Sequence, residues 1–185
     1  MRIVFNVMVF ISLLGPAAAQ SGDWQEVRSF DGRFRVLSPG PLTEKTDTMT
    51  TPVGELTYHT FFYQPEEEQK ADNLIYMVSY CDYPEGALHS DSTELLQEFF
   101  DATIESARFS VKGDLIYESE RKLRGYPGRF WRIHYLDGQA VIKTWGLVAD
   151  NRYYSIQTVT LKNRGLNPSS DRFLDSFKVI RREGG

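Results

Sequence analysis

Residues 74–83 read Leu-Ile-Tyr-Met-Val-Ser-Tyr-Cys-Asp-Tyr, and this run decides the fold class. Its aromatic and β-branched residues are typical of a strand, and apolar side chains occupy both alternating faces over most of its length. A strand that is apolar on both faces lies inside a sheet covered on both sides. The sequence therefore predicts a central strand, with helices or loops above and below its sheet.

The segments before this run predict further strands. Asp31-Gly32 separates two strand-like stretches, residues 24–30 and 33–38, and Asp-Gly is a hairpin signal because glycine tolerates positive φ. Residues 43–51 are polar and typical of an edge strand or a loop. Residues 56–63 alternate more clearly, as expected of a strand with two distinct faces.

The segments after the run predict a helix, a meander and a second helix. Asp91 is expected to cap the first helix, with Glu94 three residues on. Its apolar stripe consists of Leu95, Leu96, Phe99, Phe100, Thr103 and Ala107. Short turns join four strand-like runs, which are therefore antiparallel neighbours. These runs are residues 115–123, 129–136, 139–149 and 152–161. Asn167 and Pro168 suit the start of a closing helix, and residues 179–180 suggest a last short strand.

The N-terminus has the pattern of an export signal. Arg2 precedes an apolar stretch, and Ala17, Ala18 and Ala19 supply the small residues that a signal peptidase accepts. We predict that residues 1–19 are a signal peptide and that residues 20–185 form a single exported domain, periplasmic or extracellular. An N-terminal anchor or a buried helix is the alternative interpretation, although the stretch is shorter than the about 20 residues that span a bilayer.

Charge and cysteine content exclude several classes of function. The formal net charge of −4 disfavours nucleic acid and anionic lipid, which reward clustered positive charge. The single cysteine, Cys81, rules out a disulfide within the chain. We therefore expect no nucleic-acid partner and no membrane span after signal cleavage.

Cys81 and one loop are the candidates for chemistry. A Cys-His enzyme needs a thiolate beside a base, but Cys81 ends a core strand, where a buried cysteine is usually an apolar filler. The loop of residues 82–91 gathers four potential ligands for a divalent cation, and the alternative for these residues is a polar surface loop with a helix cap. The four candidates are Asp82, Glu85, His89 and Asp91.

Two further groups of residues have both a structural and a functional interpretation. The basic residues form either a solvated end of the sheet or a patch for an acidic partner. They are Arg121, Lys122, Arg124, Arg129 and Arg132. The aromatic residues of the meander are either core or a sugar-stacking surface, with Trp131 or Trp145 lining a pocket. They include Trp131, Trp145, Tyr153 and Tyr154.

Four phrases, in order along the chain, resemble the Mog1/PsbP-like superfamily, including its bacterial PsbP-like and DUF1795-type exported members. They are residues 34–40 (FRVLSPG), 80–84 (YCDYP), 125–129 (GYPGR) and 172–178 (RFLDSFK). The resemblance implies an α+β fold: a mostly antiparallel sheet with helices on both faces, an α/β/α sandwich. It implies no single activity, since the fold serves a Ran-binding protein, photosystem subunits and many exported proteins.

The functional expectation is correspondingly coarse. We expect an exported, non-catalytic binding or accessory module of the cell envelope, with a protein or a small ligand as its partner. No cofactor and no catalytic residues are predicted, because no nucleophile elbow, phosphate loop or dinucleotide fingerprint occurs. The alternatives are an enzyme with an unrecognised site near residues 82–91, or an accessory subunit of a membrane complex.

Overall fold

The computed structural model describes residues 24–51, 53–68 and 70–180. The predicted signal peptide, residues 1–19, lies outside the described residues. The strands are β1 (Gln25–Ser29), β2 (Phe34–Ser38), β3 (Thr43–Thr51), β4 (Gly54–Tyr63), β5 (Ile75–Asp82), β6 (Asp114–Glu120), β7 (Gly128–Tyr135), β8 (Ala140–Ala149), β9 (Arg152–Leu161) and β10 (Lys178–Val179). The helices are α1 (Thr93–Ser110) and α2 (Pro168–Ser176), with a 3₁₀ turn at Lys162–Arg164.

The main sheet is antiparallel, with the order β3-β4-β5-β9-β8-β7-β6. Strand β5 lies inside it, between β4 and β9, and its Val78 pairs with Phe61 on one side and Ile156 on the other. The predictions of a covered central strand, an edge strand at residues 43–51 and a four-strand meander are confirmed. Strand β6 ends at Glu120, so it is shorter than the predicted residues 115–123.

The opening hairpin does not join this sheet. Strands β1, β2 and β10 form a second, three-stranded sheet. Pro39 and Pro41 follow β2 directly, and because proline cannot donate to a ladder, the chain leaves the small sheet there. The hairpin itself is confirmed, but its positive φ falls on Arg33 (51°) rather than on the predicted Gly32.

The small sheet and α2 together cover one face of the main sheet. Phe34 of β2 packs edge-to-face on Phe61 and stacks on Phe177, and all three side chains are buried. Asn167 caps α2 as predicted, because its Oδ1 accepts a hydrogen bond of 2.7 Å from the amide of Ser170. The last short strand is also confirmed, as β10 pairs with β2.

Helix α1 covers the opposite face. It begins at Thr93 with Ser92 in the cap position, so the predicted cap at Asp91 is wrong. The buried positions of α1 are Leu96, Phe100 and Ile104, which follow one another at intervals of four residues along one face of the helix. Leu95, which is part of the predicted apolar stripe, lies beside this face and is exposed. With α1 on one face and α2 on the other, the predicted α+β class is confirmed. Neither helix in the described part of the chain is long and apolar enough to cross a bilayer.

Candidate functional site

Asp82, the first of the four predicted ligands, is committed to an arginine. Its two carboxylate oxygens accept hydrogen bonds of 2.6 Å from Nε and Nη2 of Arg152, 70 positions along the chain. These hydrogen bonds hold the pKa of Asp82 below its ordinary value. The carboxylate is therefore occupied by a bidentate ion pair, which sequence reasoning did not foresee.

The remaining predicted ligands do not converge. The amide of Asp91 donates to Nδ1 of His89 at 3.3 Å, and the carboxylate of Asp91 lies 3.5 Å from the same nitrogen. Glu85 is exposed. Among the described residues, no group of three or more histidine, cysteine or acidic side chains is placed to hold a metal ion. The loop thus brings two of its four candidates together and points a third at Arg152.

Cys81 is an inert part of the core. It is fully buried in a cluster with Leu88, Leu96, Phe100 and Val148. Burial raises the pKa of its thiol to about 12, so almost no thiolate forms at neutral pH. This geometry agrees with the apolar-filler interpretation.

The basic residues around the Gly125 turn are partly neutralised. Arg121 Nη2 lies 2.5 Å from Asp175 Oδ1, and its guanidinium stacks 4.2 Å above the Trp145 ring. Arg129 is paired with Glu118. Two of the five cations thus already have acidic partners, which reduces the charge available to an acidic protein.

The aromatic residues of the meander are core. Trp131 and Trp145 are each 2% exposed, and Tyr153 and Tyr154 are also buried. Trp131 lies under α1 beside Ile104, whereas Trp145 lies on the opposite face of the sheet. None of these four offers an open ring face for stacking a sugar.

Two concavities lie at opposite ends of β5, where the small sheet meets the main one. We name the first the Arg152 clasp; it is an open hollow of about 730 Å³. Arg152 is 7% exposed, and its Nη1 donates to the carbonyl of Asp31 at 2.6 Å while the other nitrogens hold Asp82. Its lining residues are Phe30, Asp31, Arg33, Asp82, Asp150, Asn151, Arg152 and Ile180.

The clasp joins the two sheets. Besides Arg152, the hydroxyl of Tyr154 donates to the carbonyl of Gly32 at 2.8 Å, so two side chains of β9 hold the β1–β2 turn. Arg152 also lies 4.3 Å above the Tyr80 ring. Because Arg152 uses its nitrogens on Asp82 and on the Asp31 carbonyl, the clasp has the character of a structural joint.

We name the second concavity the aromatic groove; it is larger, at about 1370 Å³. It runs between the start of β1, the β2–β3 link, the end of β4 and the first turn of α2. Its aromatic floor is formed by Trp24, Tyr63 and Tyr76, with the Trp24 and Tyr76 rings perpendicular at 5.8 Å and the Tyr63 and Tyr76 rings 6.2 Å apart. Trp24 and Tyr63 are half-buried, so part of each ring faces the groove.

The walls of the groove are rigid. Four prolines line it, and each fixes its own φ. They are Pro39, Pro41, Pro65 and Pro168. The Tyr63 ring lies directly against Gly40, where a Cβ would stand 2.3 Å from a ring carbon, so only glycine fits at this position. The prolines therefore restrict the backbone along the rim, and the Tyr63 ring is held in place by its contact with Gly40.

The polar groups of the groove are only partly used. The guanidinium of Arg172 lies 4.6 Å above the Trp24 ring and forms no hydrogen bond or ion pair within the described residues. Lys70 pairs with Glu67 at 2.5 Å. Asp72 accepts a hydrogen bond from the Ser169 hydroxyl at 2.5 Å, and Glu66 has no cationic partner in the part of the chain described.

Sequence reasoning missed this groove. A partial signal was present, since Pro65 stands two residues after Tyr63 and both Pro39 and Pro41 come shortly after β2. However, Arg172 reaches Trp24 from the other end of the chain, and no spacing rule connects them. The groove could be recognised only once the small sheet and α2 had been placed.

Comparison with known proteins bears on the fold. The solution structure of cyanobacterial PsbP (CyanoP) from Synechocystis sp. PCC 6803 is similar, with a TM-score of 0.57 and 14% sequence identity, over 90% of this chain and 98% of that chain. This chain has a PsbP-like fold. No family model and no curated protein sequence matches the chain.

At 14% identity the likeness to CyanoP concerns the backbone alone. The PsbP-like fold explains how segments distant in sequence come to line one groove, but it assigns no ligand to it. Any function has to be argued from the side chains of this chain.

Proposed function

We propose that this chain is an exported, non-catalytic module of the cell envelope that binds a protein or small ligand in the aromatic groove. The observation that carries the proposal is the groove itself, with the half-buried rings of Trp24 and Tyr63 and the guanidinium of Arg172, which has no hydrogen-bond partner within the described residues. Large concavities lined by aromatic side chains and a few polar groups are the usual binding sites of proteins.

The other candidates for chemistry support a binding role over catalysis. Cys81 is buried and protonated, and Asp82 is held by Arg152. A catalytic constellation needs a nucleophile beside a base in an accessible cleft. Neither concavity brings such a pair together among the residues described.

The export route is part of the proposal. Residues 1–19 act as a signal peptide, and residues 20–185 form the delivered domain, periplasmic or extracellular, of the bacterial PsbP-like, DUF1795-type kind. Intact-mass measurement of the protein recovered from the envelope fraction tests this, since cleavage after Ala19 leaves Gln20 as the first residue. A mass that retains residues 1–19 would favour the N-terminal anchor.

The binding role is tested by affinity capture from the native cell envelope. Wild-type protein should retain a stoichiometric partner, and Trp24→Ala should lose it. Tyr117→Ala is the matched control, because Tyr117 is an exposed aromatic residue on β6 at the far edge of the main sheet. Capture of the same partner by Trp24→Ala and wild-type protein would rule out the groove as the binding site.

A further inference from the structure

We propose that the aromatic groove takes an extended, proline-containing polypeptide segment that carries a basic side chain. This inference rests on the proposed function and names the class of its partner. It is argued from the shape, the hydrogen-bond donors and the charge of the groove.

The shape of the groove suits a segment that is already extended. Its floor rings are fixed by their packing, Trp24 against Tyr76 and Tyr63 against Gly40. A polyproline II segment is similarly preorganised, so neither partner loses much conformational freedom on association. Proline rings pack on flat aromatic faces, and aromatic-lined grooves recognise such segments in this way.

The donors of the groove match what such a segment offers. A polyproline II chain makes no internal hydrogen bonds, so its carbonyl oxygens are available as acceptors. The Arg172 guanidinium forms no hydrogen bond within the described residues, and neither does the hydroxyl of Tyr63. Both can donate to carbonyls of a segment lying along the floor.

The charge of the groove favours a cation on the segment. Glu66, Glu67 and Asp72 line the groove with Lys70 and Arg172. Lys70 forms an ion pair with Glu67, and the guanidinium of Arg172 lies over the Trp24 ring. The carboxylates of Glu66 and Asp72 therefore have no cationic partner within the described residues. A lysine or arginine on the segment would meet this acidic side.

An anionic ligand fits less well. The N-terminus of α2 borders the groove and is a potential anion site, but the Asn167 side chain already accepts from the Ser170 amide. The Ser169 hydroxyl is directed to Asp72, whose negative charge would oppose an anion. At the α2 end of the groove, Asp72 therefore favours a cation over a phosphate or a free carboxylate.

The test uses the full chain, expressed with residues 1–19 and purified as the cell delivers it. Fluorescence anisotropy measures the binding of three labelled short peptides. The first repeats Ala-Pro-Pro and ends in arginine, the second ends in glutamine instead, and the third replaces every alanine and proline by serine or glycine. We expect the first peptide to bind at least about threefold more tightly than the second, and the third to bind weakest.

Two variants assign the binding to the groove. Trp24→Ala should weaken binding of the arginine peptide by roughly tenfold or more, as expected when a central aromatic anchor is removed. Glu66→Gln should reduce the preference for arginine, since only Asp72 then remains of the two unpaired carboxylates, and should leave binding of the glutamine peptide unchanged. Arg172→Gln, at an exposed position, repeats the test without removing an aromatic ring, and Tyr117→Ala should bind as the wild type does.

The outcomes separate this inference from the proposed function. Equal binding of the proline and serine-glycine peptides, or binding that survives Trp24→Ala and Arg172→Gln, overturns the inference. If the native partner is nevertheless captured in a Trp24-dependent way, the binding role stands and the segment class is wrong. If capture does not depend on Trp24, the proposed function itself fails.

Discussion

The Arg152 clasp and the aromatic groove lie at opposite ends of the same junction between the two sheets, but their arginines differ in how many hydrogen bonds they form within the protein. In the clasp, Arg152 is buried, and its nitrogens donate hydrogen bonds to the Asp82 carboxylate and to the Asp31 carbonyl. In the groove, Arg172 lies on Trp24 and its donors stay uncommitted within the described residues. The difference teaches that a shifted pKa can mark a joint, whereas uncommitted donors beside open rings mark a place for a partner.

The largest expected effect concerns Cys81, which precedes Asp82 at the clasp end of β5. Because its pKa rises from 9.0 to about 12, the thiolate fraction should fall about a thousandfold. We expect a thiol reagent at pH 8 to label the native protein only as fast as it unfolds, and to label urea-unfolded protein within seconds. Fast labelling of the native state would show that the core under α1 is open at this end of β5 and would revive a reactive role for the thiol.

Removing the buried arginine of the clasp should destabilise the fold strongly. Arg152→Ala leaves Asp82 without its bidentate partner and the Asp31 carbonyl without a donor, and should lower the free energy of unfolding by about 3 kcal/mol. Urea denaturation of the wild type and of Arg152→Ala measures this loss of unfolding free energy. A loss no larger than that of an exposed ion pair would contradict the view of the clasp as a joint.

The clasp should also give stability a defined pH dependence. Because Arg152 lowers the folded-state pKa of Asp82 below 3.8, the ion pair stabilises fully above the unfolded pKa and is lost as pH falls through the folded pKa. The gap in unfolding free energy between wild type and Asp82→Asn should therefore be constant near neutral pH and shrink below about pH 4. A gap that persists undiminished at pH 2 would assign the stabilisation to packing.

In the aromatic groove, a substitution should affect partner binding more than it affects the stability of the fold. Trp24→Ala removes a half-buried ring at one edge of the core and should lower the free energy of unfolding by about 2 kcal/mol, while it abolishes partner binding. Thermal denaturation together with the capture assay measures both. A large stability loss with intact binding would reverse the comparison between the two ends.

The smallest effect is expected at Arg33, the second arginine of the clasp. Its Nη1 makes one contact of 3.4 Å with an Asp150 oxygen, whereas Arg152 makes two hydrogen bonds of 2.6 Å with Asp82. Arg33→Ala should change the free energy of unfolding by less than about 1 kcal/mol. The same urea series as for Arg152→Ala checks this, and similar losses of unfolding free energy in the two variants would remove the distinction between the bidentate pair and the single, longer contact.

Much of the fold was predictable from local pattern. The run at residues 74–83 predicted an interior strand because both of its faces are apolar, and the Asn167-Pro168 pair predicted the start of α2 because its hydrogen-bond chemistry is local. The start of α1 was misplaced by one residue, since Asp91 and Ser92 are both plausible caps in sequence. The separate small sheet was not predicted, because hairpin signals specify pairing within a hairpin and not the sheet it joins.

The sequence by itself determined which segments are strands and helices, and that Cys81 lies in a core strand, because periodicity and turn chemistry act between near neighbours. Only the tertiary structure decided what the polar residues do. Asp82 meets Arg152 across 70 positions, and Trp24 meets Arg172 near the far end of the chain. Such contacts depend on how the small sheet and α2 pack on the main sheet, which is set by the fit of the whole core rather than by any local signal.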